Sequence, residues 1–258
     1  MRSVTTMPRR SLSSLGVLMT VALAACGSTP KATQEHDAAN FNMQLGVAYM
    51  NRGDLGLAKE KLERAVAENP GDPNVHSAMA MLQDRLGFPD KADNEFRAAL
   101  RLAPRNPDIQ NNYAVYLCRT GRTEEGVKSF LEVAHNALYT TPEAALTNAG
   151  VCLRAAHRDD EAAPYFSQAL QLKPNFAEAA FQLAGLNFDR GRLKDARSQI
   201  DVYLGAFDAT PDLLLLGVRV TRALGDRLAA ERYSRRLRLD FPSSNQTRSL
   251  SELDRNPG

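Results

Sequence analysis

The sequence has little excess charge and few residues of the kinds that build catalytic or metal centres. Lys and Arg number 32 against 30 Asp and Glu, so the formal net charge of +2 gives no basic footprint for nucleic acid. The four histidines are scattered, with no HExxH motif and no Cys-His spacing suited to zinc, and no glycine-rich phosphate loop is present. We therefore expect no enzyme activity, no cofactor or metal, and no small-molecule substrate.

Long apolar runs are also scarce, because only the amino-terminal segment has one and no second run of about 18 residues could span a membrane. Residues 1–25 contain Arg2, Arg9 and Arg10, followed by an apolar stretch that ends at Ala25. The end of this stretch and the next residue read Leu23-Ala24-Ala25-Cys26. This arrangement resembles bacterial lipoprotein signals, in which the cysteine is lipidated and becomes the first residue. We expect residues 1–25 to be such a signal and Cys26 to carry covalent lipid, including palmitate. An ordinary signal peptide with a chance cysteine is the alternative.

The residues after Cys26 suggest a destination and a tether. Gly27, and not Asp, follows the cysteine. By resemblance to enterobacterial sorting rules, this favours a lipid anchor on the periplasmic face of the outer membrane. The stretch that ends at residue 38 is polar and small, so residues 26–38 are expected to be the lipidated cysteine and a flexible tether.

A 34-residue unit is repeated six times between residues 39 and 244, with one two-residue insertion in the His135–Pro142 connection. The repeats are 39–72, 73–106, 107–142, 143–176, 177–210 and 211–244. Position 8 is small in most units, position 15 is glycine in five, position 20 is alanine in five and position 32 is proline in four. Glycine suits the left-handed end of a first helix and proline stops a second one. A fixed period of this length predicts an all-α solenoid of helix pairs.

The repeat resembles the tetratricopeptide repeat. The residues that carry the resemblance in the first unit are Leu45-Gly46, Tyr49, Ala58, Leu62, Ala65 and Pro70. Repeats 1, 2 and 4 match best, whereas repeats 5 and 6 depart at position 27. The resemblance implies a superhelix of six helix-turn-helix repeats whose first helices line a concave, protein-binding face.

Several residues of the first helices are candidates for that concave face. An apolar, methionine-rich stripe predicts a groove for a partner helix or strand. The candidates are Met43, Val47, Met50, Met81, Asn111 and Val115. A second patch, formed by Phe181, Phe188 and Leu215, is an alternative that could instead complete the core of repeats 5 and 6.

Cys118 and Cys152 remain once Cys26 is assigned to lipid. They fall in the first helices of neighbouring repeats 3 and 4, on either side of the insertion, and a periplasmic pair of this kind can form a disulfide. Two buried thiols are the alternative. Residues 245–258 are too short for a seventh repeat, so we expect one capping turn at residues 249–253 and a disordered tail.

The combination of lipobox, tether, six repeats and this cysteine pair resembles the PilF/PilW pilotin family of type IV pilus biogenesis and stability lipoproteins. Gly46-Val47-Ala48-Tyr49 and Asn111-Asn112-Tyr113-Ala114 add to the resemblance. It implies a lipid-anchored protein that binds the pilus secretin, promotes its outer-membrane localisation and multimer assembly, and thereby supports pilus stability and twitching motility. An adaptor lipoprotein that scaffolds peptidoglycan enzymes or outer-membrane protein assembly is the alternative.

Overall fold

The computed structural model describes residues 30–255, and the regular elements in this range are thirteen α-helices. The helices are α1 (Pro30–Arg52), α2 (Leu55–Glu68), α3 (Pro73–Arg85), α4 (Pro89–Leu102), α5 (Pro107–Arg119), α6 (Thr123–Ala134), α7 (Pro142–Ala155), α8 (Asp159–Leu172), α9 (Ala177–Asp189), α10 (Leu193–Ala206), α11 (Pro211–Ala223), α12 (Arg227–Asp240) and α13 (Asn245–Arg255). Helices α1 to α12 form six helix-turn-helix pairs in register with the repeats. The predicted all-α solenoid is confirmed.

The pairs stack so that the first helices form one wall. Each first helix packs against its own second helix and also against the first helix of the next repeat, from α1 and α3 through to α11 and α13. The second helices pack on first helices and form the outer layer. Each repeat therefore buries its apolar surface only against its neighbours, as in other solenoids.

The turns within the pairs depend on left-handed backbone. Five glycines adopt φ values between 69° and 85° just after the first helix: Gly53, Gly87, Gly121, Gly191 and Gly225. In repeat 4 the same place is held by His157, with φ of 58°. A side chain at such a φ costs about 1 kcal/mol, so His157 keeps the turn at an energetic cost that the glycines avoid.

Small residues let the two helices of a pair approach closely. A Cβ added at Gly46 would lie 2.6 Å from Leu62 Cγ, and one added at Gly150 would lie 2.5 Å from Phe166 Cε1. Leu62, Phe96, Phe130 and Phe166 are almost completely buried at the same phase of successive second helices. Glycine at position 8 thus makes room for the large side chain that faces it.

Both ends of the solenoid differ from expectation. The stretch expected to be a flexible tether is helical from Pro30, because α1 continues upstream of the first repeat in one unbroken helix. At the other end, α13 extends beyond the single expected turn and buries Leu250 completely against Leu214 and Leu237. The tail therefore caps the last repeat. Among the described helices, none combines the length and apolarity needed to cross a membrane.

Candidate functional site

The inner wall of the solenoid carries a row of apolar side chains at position 9 of the first helices. Val47, Met81, Val115 and Val151 occupy this position in repeats 1 to 4. Val115 is 47% exposed and Val151 is 37% exposed, whereas Val47 and Met81 are half-buried against the core of repeats 1 and 2. The row presents apolar surface across four repeats, and its most accessible part lies in repeats 3 and 4.

The other methionine candidates of the first repeat behave differently from each other. Met43 is half-buried and packs against the same core as Val47. Met50 is only 1% exposed and packs with Leu62 and Leu82. The prediction that Met50 lines the groove is wrong, because this residue, at position 12 of the first repeat, lies beneath α3, where its side chain fills the joint between repeats 1 and 2.

An asparagine pair lies beside the exposed valines. The Asn148 side-chain amide donates to Asn111 Oδ1 at 3.3 Å, which links α7 to α5. Asn111 lies one helical turn before Val115, and Asn148 lies three residues before Val151. Each amide keeps further hydrogen-bonding groups. The pair therefore places polar groups that could bind a peptide backbone next to apolar surface that could bind its side chains.

The second candidate patch does not form one surface. Phe181 and Phe188 are half-buried and pack against the core formed by Ala184, Ile200 and its neighbours, whereas Leu215 packs against the separate core under α13. The Arg219 guanidinium also lies 5.1 Å from the Phe188 ring centroid and covers that ring. These side chains mainly complete the cores of repeats 5 and 6, so the inner wall of repeats 1 to 4 is the better candidate.

Charged groups link successive repeats along the same wall. Arg119 of α5 pairs with Asp84 of α3. Arg154 of α7 pairs with Asp189 of α9 at 2.7 Å and donates to Gln182 Oε1 at 2.6 Å. Because these pairs join neighbouring first helices, they fix the spacing between repeats rather than form a chemical centre. In residues 36–255 no group of acidic, histidine and cysteine side chains could hold a metal ion.

A further polar cluster joins repeats 2 and 3. The Tyr113 hydroxyl donates to Asp93 Oδ1 at 2.8 Å, and Arg122 Nη1 donates to the same oxygen at 2.8 Å. Burial alone would raise the pKa of Asp93, but the bonds from Tyr113, Arg97 and Arg122 hold that pKa below its ordinary value. Burial and the bond to Asp93 raise the pKa of Tyr113. The cluster is thus a structural joint with an ionised carboxylate at its centre.

A disulfide joins Cys118 of α5 to Cys152 of α7, with 5.4 Å between their Cα atoms. It explains a departure from the repeat pattern. Position 20 is alanine in the other five repeats but Gly126 here, and a Cβ added at Gly126 would lie 2.4 Å from Cys118 Sγ. The sulfur occupies the space that alanine fills elsewhere, so glycine at residue 126 accommodates the bridge.

The amino-terminal end of the stack is open. Phe41 occupies position 3 of the first repeat and is 63% exposed. The residues at this position in repeats 2 to 6 are at most 1% exposed: Val75, Ile109, Ala145, Ala179 and Leu213. In the part of the chain that the structure describes, no helix pair packs on the upstream side of α1 to cover Phe41. The open end is therefore a second apolar surface, separate from the inner wall.

Comparison with known proteins gives the relatives of this solenoid. The tetratricopeptide-repeat family matches residues 39–72, 77–139 and 153–216. The type IV pilus assembly protein PilF of Pseudomonas aeruginosa is 29% identical over 233 residues, which cover 88% of this chain and 92% of PilF. A solved structure of Pseudomonas aeruginosa PilF matches with a TM-score of 0.63 and 28% identity, over 85% of this chain and 99% of that one. The crystal structure of PilW, described as a widely conserved type IV pilus biogenesis factor, matches with a TM-score of 0.64 and 30% identity, over 82% of this chain and 97% of that one. This chain belongs to the PilF/PilW family.

Membership of the PilF/PilW family confirms the resemblance seen in the repeats. Cys26, the residue expected to carry lipid, lies outside the described residues, so its role stays a prediction. Sequence reasoning missed two residues of the PilF/PilW solenoid surface, Phe41 and Val151. Val151 occupies the same position in its repeat as Val47, Met81 and Val115 do in theirs. Phe41 is an apolar residue at a position that belongs to the core in the other repeats, but it lies in the first repeat. Both signals were present in the alignment of the repeats.

Proposed function

We propose that this protein is a pilotin lipoprotein of the type IV pilus. In this proposal the lipid on Cys26 holds it at the periplasmic face of the outer membrane. The solenoid binds the pilus secretin and promotes its localisation there and its assembly into multimers. The observation that carries the proposal is the row of apolar side chains on the inner wall, at one position of four successive repeats of a PilF/PilW-family solenoid.

The inner wall supports binding of an apolar segment of the secretin. Val115 and Val151 offer exposed apolar surface, and the Asn111–Asn148 pair offers amide groups beside it. Side chains of a bound segment would remove the valines from water, and its backbone would bond the amides.

The proposal is tested by the amount and membrane location of heat-stable secretin multimers. Cells without this gene are compared with cells that carry the wild-type chain, Cys26→Ser or Val115→Glu. Loss of the multimers or their appearance at the inner membrane in the deletion strain supports the pilotin role. Cys26→Ser should leave the protein soluble in the periplasm and the secretin misplaced.

A matched variant separates the groove from general damage. Leu172→Glu places the same charge at a residue of α8 that is 59% exposed and lies in the outer layer. We expect Val115→Glu to reduce secretin capture while Leu172→Glu does not, with native helical circular dichroism in both. If Phe41→Glu reduces capture and Val115→Glu does not, the open end is the binding surface. Unchanged multimers in the deletion strain would contradict the pilotin role.

A further inference from the structure

The outer face of the last two repeats has an unusual distribution of apolar side chains. Among the large apolar residues of the described chain, four are exposed by 70% or more: Leu138, Val202, Leu228 and Leu239. Three of the four lie on α10 and α12, the second helices of repeats 5 and 6. Single exposed apolar residues are common on protein surfaces, but this concentration on two adjacent helices needs a reason.

The exposed residues of α12 form one stripe. Leu228, Arg232, Arg235 and Leu239 follow one another at spacings of four, three and four residues, which places them on the same side of a helix. The opposite side of α12 is buried through Ala230, Ser234 and Leu237. The stripe therefore points away from the solenoid, with a leucine at each end, about 16 Å apart along the helix axis, and arginines between them.

Helix α10 continues this surface. Arg197 of α10 pairs with Asp226, the residue that caps α12, at 2.8 Å. Tyr233 of α12 bonds to Asp201 of α10. Val202, which follows Asp201 directly, is 70% exposed. Side-chain bonds thus link α10 to α12, and the two helices together present three exposed apolar side chains on the outer layer.

The charge of α12 is strongly positive. The helix holds five arginines against Glu231 and Asp240. Arg236 pairs with Asp240 at 3.2 Å and Arg238 pairs with Asp254. Arg227, Arg232 and Arg235 have no carboxylate within ion-pair distance among the side chains from residue 36 to 255. The stripe therefore carries cations whose charge the fold does not neutralise.

We propose that the outer face of α10 and α12 docks on an anionic lipid surface. Arginine binds phosphate groups through two parallel N–H donors, and its long stem lets the charged end stay at the headgroup level. Leu228, Leu239 and Val202 then enter the apolar edge of the lipid layer. The face would orient the solenoid against the membrane independently of any lipid on Cys26.

Vesicle binding tests the proposal with residues 27–258, which include all thirteen helices and every core cluster of the described chain and lack Cys26. The chain is sedimented with vesicles of phosphatidylglycerol and phosphatidylethanolamine at low ionic strength, and with neutral phosphatidylcholine vesicles. We expect binding to the anionic vesicles that weakens as salt is added. Each arginine beside an anionic bilayer contributes about a fivefold factor, so Arg232→Gln with Arg235→Gln should lower the partition coefficient roughly 25-fold.

Matched variants elsewhere on the solenoid, on and just after α4 and on α8, control for charge and apolarity. Arg101→Gln with Arg105→Gln removes two arginines that also lack an ion pair in the described part, and Leu102→Gln with Leu172→Gln removes two exposed leucines. Neither should change binding by more than about twofold, whereas Leu228→Gln with Leu239→Gln should reduce it strongly. Absence of binding to anionic vesicles, or equal loss in test and control variants, overturns the proposal. The proposal is also overturned if the wild-type protein does not bind vesicles and the α12 variants lose a crosslinked protein partner.

Discussion

Substitution of Gly126 by alanine probes the fit between the disulfide and the second helix of repeat 3. Alanine is about 1 kcal/mol better than glycine inside a helix. Its Cβ would, however, lie 2.4 Å from Cys118 Sγ, 3.1 Å from the Ala114 carbonyl oxygen and 3.2 Å from the Cys118 nitrogen. Overpacking of this kind costs about 1–3 kcal/mol. We expect Gly126→Ala to lower or leave unchanged the free energy of unfolding when the bridge is present, although it improves the helix.

The same substitution should have a different effect without the bridge. In a chain with Cys118→Ala and Cys152→Ala, the sulfur is gone and only the two backbone contacts remain, so alanine at residue 126 should stabilise by up to about 1 kcal/mol. The loss of the bridge itself should cost about 4 kcal/mol, because the closed loop spans 34 residues. Urea unfolding of the four chains, followed by helical circular dichroism, gives a double-mutant cycle.

The coupling between Gly126 and the bridge should be about 1–3 kcal/mol. Gly56→Ala serves as a control, because a Cβ added at Gly56 meets nothing within 4 Å. It should change stability equally with and without the disulfide. Equal effects of Gly126→Ala in the two backgrounds would refute the view that the sulfur is the reason for glycine at this position.

Three further predictions concern a turn, the cap and an acidic group. His157→Gly should stabilise the chain by about 0.5–1 kcal/mol, because φ of 58° suits glycine, and an unchanged or lower urea midpoint would contradict this. Leu250→Ala should cost about 2–5 kcal/mol and increase hydrogen exchange in α13, since Leu250 is fully buried; retained protection of α13 would argue against a capping role. The folded pKa of Asp93 lies below its unfolded value of 3.8, so the stability it contributes is present above about pH 4 and is lost as the pH falls through the folded value. Tyr113→Phe removes one of the bonds that lower this pKa, so its unfolding free energy should be about 1 kcal/mol lower at neutral pH and should fall less on acidification; identical pH profiles would count against the assignment.

The residue types at fixed positions of the repeat predicted the fold because each of these positions has a local structural role. Glycine at position 15, alanine at position 20 and a large apolar residue at position 24 define how two helices pack, and the structure keeps these roles in most repeats. Residues whose environment depends on a neighbouring repeat were harder to place. The repeat pattern assigned Met50 to the concave face, but the joint between α1 and α3 buries it. Phe41 has a core position in the repeat, yet it is exposed because no other described repeat packs on the upstream side of α1.

The ends of the solenoid were predicted least well for the same reason. The residues before the first repeat and after the last one lie outside the period, so the alignment says nothing about their contacts. The helical start at Pro30 extends a helix that the first repeat already begins. Helix α13 forms because the last repeat exposes an apolar face, which Leu250 covers. Both results follow from nearest-neighbour packing rather than from a periodic signal.

The covalent link between α5 and α7 also determines how the chain would respond to mechanical force. A load applied to the two ends of a solenoid can draw out one repeat after another, since each is held only by its neighbours. Tension would pass through the sulfur atoms and bypass the 34-residue loop between Cys118 and Cys152. A stretch of that length would otherwise extend by about 115 Å. In an oxidising compartment the centre of the molecule would thus limit how far the chain can lengthen, while its outer repeats could still yield.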